Sequence, residues 1–194
     1  MDRVTTPEFR ASYANVFKSH AFEGQPAESA KYSIVMLFPK STDLAGLKKL
    51  ANDAIAKKWD DPAKRKQMTS NPNFKNPFRD GDVERADKEG YPGHIFISAS
   101  SKMKPGIVDQ NTQAIINEDN FYSGCYARAT LTAYGYNTAG NIGVAFGLQN
   151  LQFLKDGDAF SGRNKAENDF GVVDTGASIE GDVTVSASTE DFLS

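Results

Sequence analysis

Between Phe121 and Asn137 the chain reads FYSGCYARATLTAYGYN, and a period of two separates it into two faces. The odd positions Cys125, Ala127, Ala129, Leu131 and Ala133 are small and apolar, suited to a tightly packed core. The even positions Tyr122, Tyr126, Arg128, Thr130, Thr132, Tyr134 and Tyr136 carry rings, hydroxyls and one guanidinium. The second face has two readings. Rings beside positive charge offer platforms for unpaired bases and a partner for phosphates. Tyrosine is also a common strand former, and the same rings could pack beneath a neighbouring loop or second sheet.

The remaining pattern predicts a mainly β protein. KYSIVMLFPK (31–40) places Tyr32, Ile34, Met36 and Phe38 on one face and Val35 and Leu37 on the other, which predicts a strand covered on both sides. A weaker alternation from Arg10 to Phe22 predicts an opening strand, turning through Glu23-Gly24-Gln25-Pro26. Ser41-Thr42-Asp43 supplies helix-capping side chains, and Leu44, Leu47, Leu50, Ala51, Ala54, Ile55 and Trp59 follow at helical spacing, with Pro62 marking the end. HIFISAS (94–100) reads as a short strand and SKMKPGIVD (101–109) as a loop. After the turn Asn137–Asn141 the chain returns as IGVAFGL (142–148), whose alternate glycines predict a curved hairpin. NLQFLKDG then reads as a short helix stopped near Gly157. About five strands, one or two helices and long loops predict an OB-fold, a five-stranded Greek-key barrel. In that fold the helix generally follows the third strand, whereas here only two strands precede it.

From Asp60 to Gly93 the chain is polar and rich in turn residues, the composition of a long functional or mobile connection. Phe74, Lys75, Phe78 and Arg79 put rings beside cations there, and Lys102 and Lys104 flank a second turn. These join Tyr122, Tyr126, Arg128, Tyr134 and Tyr136 as candidate nucleic-acid contacts.

Composition sharpens the charge picture. The formal net charge is -3, but no Lys or Arg follows Lys165, while seven of the 25 acids do. Without those seven, 22 basic residues face 18 acidic ones, so a mildly basic body precedes an acidic tail. Beyond Phe170 no core pattern is visible, which predicts a domain over 1–170 and a flexible, disordered acidic tail over 171–194. Hydrophobic residues make up 39% and mean hydropathy is -0.50. No apolar run approaches the ~18 residues of a membrane helix, and MDRVTTPEFRASY has no apolar segment of a signal peptide. A single cysteine, Cys125, forms no internal disulfide and suits a reducing cytoplasm.

Catalysis draws little support. His20 and His94 are isolated, two histidines and one cysteine make no zinc set, and no phosphate-binding loop occurs. Asp80, Asp82 and Asp87 leave a metal-dependent nuclease open, although D-G-D is a common turn sequence. The expectation is a non-enzyme without cofactor or metal.

Several ordered blocks resemble a family of bacteriophage single-stranded DNA-binding proteins. They are NPFRDGD (76–82), GYPGHIFISASS (90–101), KPGIVD (104–109), FYSGCYARA (121–129) and GNIGVAFGLQNLQFLKDGDAFSGR (140–163), ending near DF (169–170). They cover roughly half the chain. The resemblance implies an oligonucleotide-binding barrel that coats and protects unpaired DNA during phage replication or recombination, in the host cell cytoplasm. It implies single-stranded DNA as partner, duplex only weakly, and no membrane. Glu190-Asp191-Phe192 resembles the aromatic-tipped acidic tail with which replicative single-strand binders recruit replication proteins, except that Leu193 and Ser194 follow; a plain solubilising extension is the alternative reading. A phage structural or assembly protein using the same barrel to bind protein is a further alternative.

Overall fold

The computed structural model describes residues 2–21, 24–138 and 140–160. Five long strands close a barrel: β2 (Phe9–His20), β3 (Lys31–Pro39), β6 (His94–Ser101), β8 (Tyr126–Thr138) and β9 (Asn141–Lys155). The pairing runs β2–β3–β6–β9–β8 and returns to β2, antiparallel throughout except for β6 with β9. This is the oligonucleotide-binding barrel that the strand count predicted. Short strands extend it: β1 (Val4–Thr5) on β8, β4 (Phe74–Lys75) and β7 (Gly106–Val108) on β9, and β5 (Arg79–Asp80) on β6.

Inward positions of the strands supply the core. Ile34, Met36 and Phe38 of β3 meet Ala127, Ala129 and Leu131 of β8, all at 0–2% exposure. The opposite face of β3 is covered too, since Leu37 packs with Phe96 and Tyr91 in a second, smaller cluster. Helix α1 (Ala45–Lys58) buries Leu47, Leu50, Ala51 and Ala54. It lies close enough to β8 that a Cβ on Gly135 would stand 2.8 Å from the Lys58 Cβ. Leu44 takes the N-cap position without a side-chain cap, and Asp43 before it accepts a hydrogen bond from the Ala45 N–H (2.8 Å).

Five sequence expectations need correction. α1 ends at Trp59, where the backbone leaves helical geometry, and not at Pro62. Pro62 instead opens a second helix, α2 (Pro62–Thr69), because a missing N–H costs nothing in the first helical turn; Asp61 caps it. The stretch from 60 to 93 is accordingly not one loop: it holds α2, β4, β5 and the single turn α3 (Gly81–Glu84). Likewise 106–108 form β7 rather than loop. NLQFLK continues β9 and is not a helix. The buried Leu148 and Leu151 are three apart because the register shifts by one residue at Gln149, and that bulge imitates helical spacing. As the sequence indicated, only two of the long barrel strands, β2 and β3, precede α1. The expected tail lies outside the described residues, as does the domain boundary at 170. No helix among the described residues is long and apolar enough to cross a membrane.

Candidate nucleic-acid interface

Cross-strand pairing assembles one row on the outside of the barrel. Lys155 lies opposite Tyr126, Tyr126 opposite Arg10, Arg10 opposite Leu37, Leu37 opposite Phe96, and Phe96 opposite Arg79. Directly paired residues project from the same face of a sheet, so cations and rings from five strands stand in one row with Leu37 of β3 between them. The Lys155 ammonium is 4.7 Å from the Tyr126 ring centroid, and the Arg79 guanidinium is 4.5 Å from that of Phe96. The middle of the row is roofed: Leu37 and Phe96 are buried under Tyr91 and Phe160. Its Tyr126 end is partly open.

Beside that open end, exposed Arg128 donates from Nε to the Gln152 side-chain oxygen (2.8 Å). Gln152 in turn donates to the Asp109 carbonyl (3.0 Å). The guanidinium is therefore aimed by a fixed neighbour, and among the described residues no carboxylate neutralises it. Lys155 differs, because it donates a hydrogen bond to the Glu8 carboxylate at 2.8 Å, which raises its pKa and occupies part of its charge.

Toward the hairpin tip stand Tyr134, 42% exposed, and the half-buried Tyr136. Tyr136 lies opposite Gly143, which pairs with Lys75. A Cβ at 143 would come within 2.8 Å of the Tyr136 hydroxyl, so glycine there makes room for the phenol. Burial, and secondarily the neighbouring Tyr134, push the Tyr136 hydroxyl pKa up. Between the two ends Thr132 is buried, which interrupts the outward row. Lys102 and Lys104 are exposed just before β7, whose Gly106 faces Asn150, itself opposite Thr130. The Lys104 ammonium is 5.7 Å from the Phe17 ring.

Four expected contacts are placed otherwise. Tyr122 precedes β8; it is half-buried against the core, with its hydroxyl 2.6 Å from the Asp156 carboxylate and 3.0 Å from the Gly157 carbonyl. Its hydroxyl thus ties down the chain after β9. Phe74 packs 6.4 Å from Trp59, and Phe78 meets Phe146 edge-on at 5.8 Å. Both rings sit against the core because 74–80 is pinned to the barrel by β4 and β5, and they line a cleft of about 700 Å³ with Lys40 and Lys48. Arg79 is already paired with Glu84, Nε donating at 2.8 Å. Glu190, Asp191 and Phe192 lie outside the described residues.

Sequence reading missed Arg10 and Lys155. Arg10 carried a usable signal, since it alternates with Phe9 and Ala11 on the opening strand. Lys155 carried none while its segment read as helix.

Over residues 2–183 the chain matches the family described as Enterobacter phage Enc34 single-stranded DNA-binding protein. It belongs to that family. It is also 40% identical over 169 residues to protein p50 of Acyrthosiphon pisum secondary endosymbiont phage 1, covering 82% of this chain and 87% of p50. The single-stranded DNA-binding protein of bacteriophage Enc34, solved in complex with single-stranded DNA, superposes with a TM-score of 0.65 at 22% identity, over 82% of this chain and 89% of that one. A second solved structure, gp2.5, a single-stranded DNA-binding protein encoded by bacteriophage T7, gives 0.57 at 14% identity, over 85% and 98%. At those identities the likeness establishes the fold, and family membership rests on the sequence match.

Proposed function

We propose that this protein binds single-stranded DNA with little regard to sequence and coats it during phage replication or recombination in the host cytoplasm. Bases stack on Tyr126, Tyr134 and Tyr136, while Arg128, Arg10, Lys102, Lys104 and Lys75 meet phosphates. The observation that carries this reading is Arg128: an exposed guanidinium, aimed by Gln152 and unneutralised among the described residues, beside the Tyr126 ring. Every base has a π-face, so such stacking tolerates sequence and contributes about 1–3 kcal/mol per base. The 1–170 domain carries the binding; the acidic tail, through Glu190, Asp191 and Phe192, recruits phage replication proteins. Duplex binds weakly, because its stacked bases present no faces to the tyrosines.

Asp80 and Asp82 support a structural rather than a nucleolytic role. Both carboxylates hold the Lys40 ammonium, at 2.8 and 2.6 Å, where a metal would have to displace it.

Fluorescence anisotropy with labelled oligo-dT against salt tests the reading. Wild type should bind with a log–log slope of about -0.7 per phosphate neutralised. Tyr126→Ala and Arg128→Ala should each weaken binding, and only the second should flatten the slope. Unchanged affinity in both means that the stacking face is elsewhere. Oligonucleotide should survive incubation with magnesium intact, and single strands should outcompete duplex.

A further inference from the structure

Tyr13 breaks the alternation of β2. Phe9 and Ala11 point into the barrel and Val16 resumes the core face, so a period of two would bury residue 13. Instead its φ is +46°, in the left-handed region that tyrosine rarely enters, within a register shift between Ser12 and Asn15. The ring is thereby turned outward and is 51% exposed. Strain of this kind persists where surrounding structure enforces it, and it gathers at binding sites.

The neighbour of Tyr13 is a cation. The Arg85 guanidinium lies 5.7 Å from the Tyr13 ring centroid, 5.3 Å from Tyr91 and 5.6 Å from Phe96. Nearby Arg79 has the Glu84 carboxylate, but the Arg85 side chain has no ion-paired or hydrogen-bonded partner among the described residues. Its loop is braced in advance. Lys40 grips Asp80 and Asp82, Asp82 accepts the Gly93 N–H at 2.7 Å, and the buried Tyr91 hydroxyl shares a 3.1 Å hydrogen bond with Ser12, the residue before Tyr13.

We propose that Tyr13 and Arg85 form a nucleotide subsite of single-stranded DNA, separate from the β8 tyrosines: one base stacks on Tyr13 and an adjacent phosphate pairs with Arg85. This rests on the single-strand-binding reading above and extends it. Tyr13 is three residues along β2 from Arg10, the strand partner of Tyr126, or about 10 Å at ~3.3 Å per residue. One strand can therefore engage both places. The phosphate role expected of Arg79 passes to Arg85 because Glu84 takes the former.

The test uses the full chain, fluorescein-labelled oligo-dT and anisotropy across a salt series. Tyr13→Ala should raise Kd about tenfold, the scale of one lost stack, while Tyr13→Phe stays within about twofold of wild type. Arg85→Gln should weaken binding and shrink the salt slope by about 0.7, one phosphate. Tyr13→Gly, which suits a positive φ, should lose affinity as Tyr13→Ala does without losing thermal stability. No binding by wild type even at low salt would sink the single-strand reading itself. Normal wild-type binding, with Tyr13→Ala and Arg85→Gln also within about twofold of it, would overturn this subsite alone. So would a loss in Tyr13→Phe as large as in Tyr13→Ala, since the ring is retained.

Discussion

Arg10 and Phe160 stack across the outside of the barrel, with the guanidinium 4.1 Å from the ring centroid. The same guanidinium donates to the Asp158 carbonyl (2.8 Å) and, through Nε, to the Gly124 carbonyl (3.3 Å). Arg10 thus holds the chain that leaves β9 against the cation–ring row, with Phe160 over its middle. Arg10→Ala should loosen 156–160 while leaving the barrel folded. The readout is hydrogen exchange at the Phe160 amide, which donates to the Ser123 carbonyl at 3.1 Å. Loss of a partly buried cation–ring contact, about 1 kcal/mol, should speed its exchange roughly five- to tenfold.

Gly124 faces the same segment from beneath. Its φ is +117°, and a Cβ there would lie 2.1 Å from the Asp158 carbonyl oxygen. Gly124→Ala combines a disfavoured backbone with a collision against backbone, and should destabilise by about 2 kcal/mol or more in urea unfolding. An alanine that unfolds at the wild-type midpoint would mean that 156–160 moves aside freely.

The clamp of Lys40 on Asp80 and Asp82 should leave a pH signature. A hydrogen bond from Lys40, then one from the Gly93 N–H, hold the Asp82 carboxyl below its ordinary 3.8. A depressed carboxyl stabilises the fold fully above its unfolded value and loses that contribution as pH falls through the folded one. Hydrogen bonds to Asp80 and Asp82 raise Lys40 above 10.5, so its contribution is complete below 10.5 and lost as pH rises beyond. Stability from the clamp should therefore be flat between about pH 5 and 9 and fall below pH 4. Asp82→Asn should have a shallower acid limb than wild type in denaturation series from pH 6 to 2.5. Parallel limbs would show that Asp82 does not feel Lys40 in solution.

The two faces of β8 should separate stability from binding. Leu131 is fully buried, and Leu131→Ala should cost about 2–5 kcal/mol of unfolding free energy. Tyr134 on the outer face is 42% exposed, and Tyr134→Ala should change stability by less than about 1 kcal/mol while weakening oligo-dT binding. Equal destabilisation by both would place the Tyr134 ring in a packing role.

Much of this molecule was legible from residue order alone. The inward face of β8, the double coverage of β3 and the amphipathic α1 each follow from local periodicity, because side-chain direction alternates in a strand and returns every 3.6 residues in a helix. Those patterns, with the ordered family blocks, determined a barrel and pointed to single-stranded DNA. What they did not contain was anything set by non-local pairing or by a break in the period. The bulge at Gln149 made strand β9 look helical, and the left-handed backbone at Tyr13 turned outward a ring that strict alternation would bury. Phe74, Phe78 and Tyr122 went inward because distant partners (Trp59, Phe146 and Asp156) were waiting for them. Arg10, Tyr126 and Lys155 are far apart in sequence and became neighbours only through strand register. Tertiary structure alone decided which rings and cations stand together, since register and burial depend on closing the whole barrel.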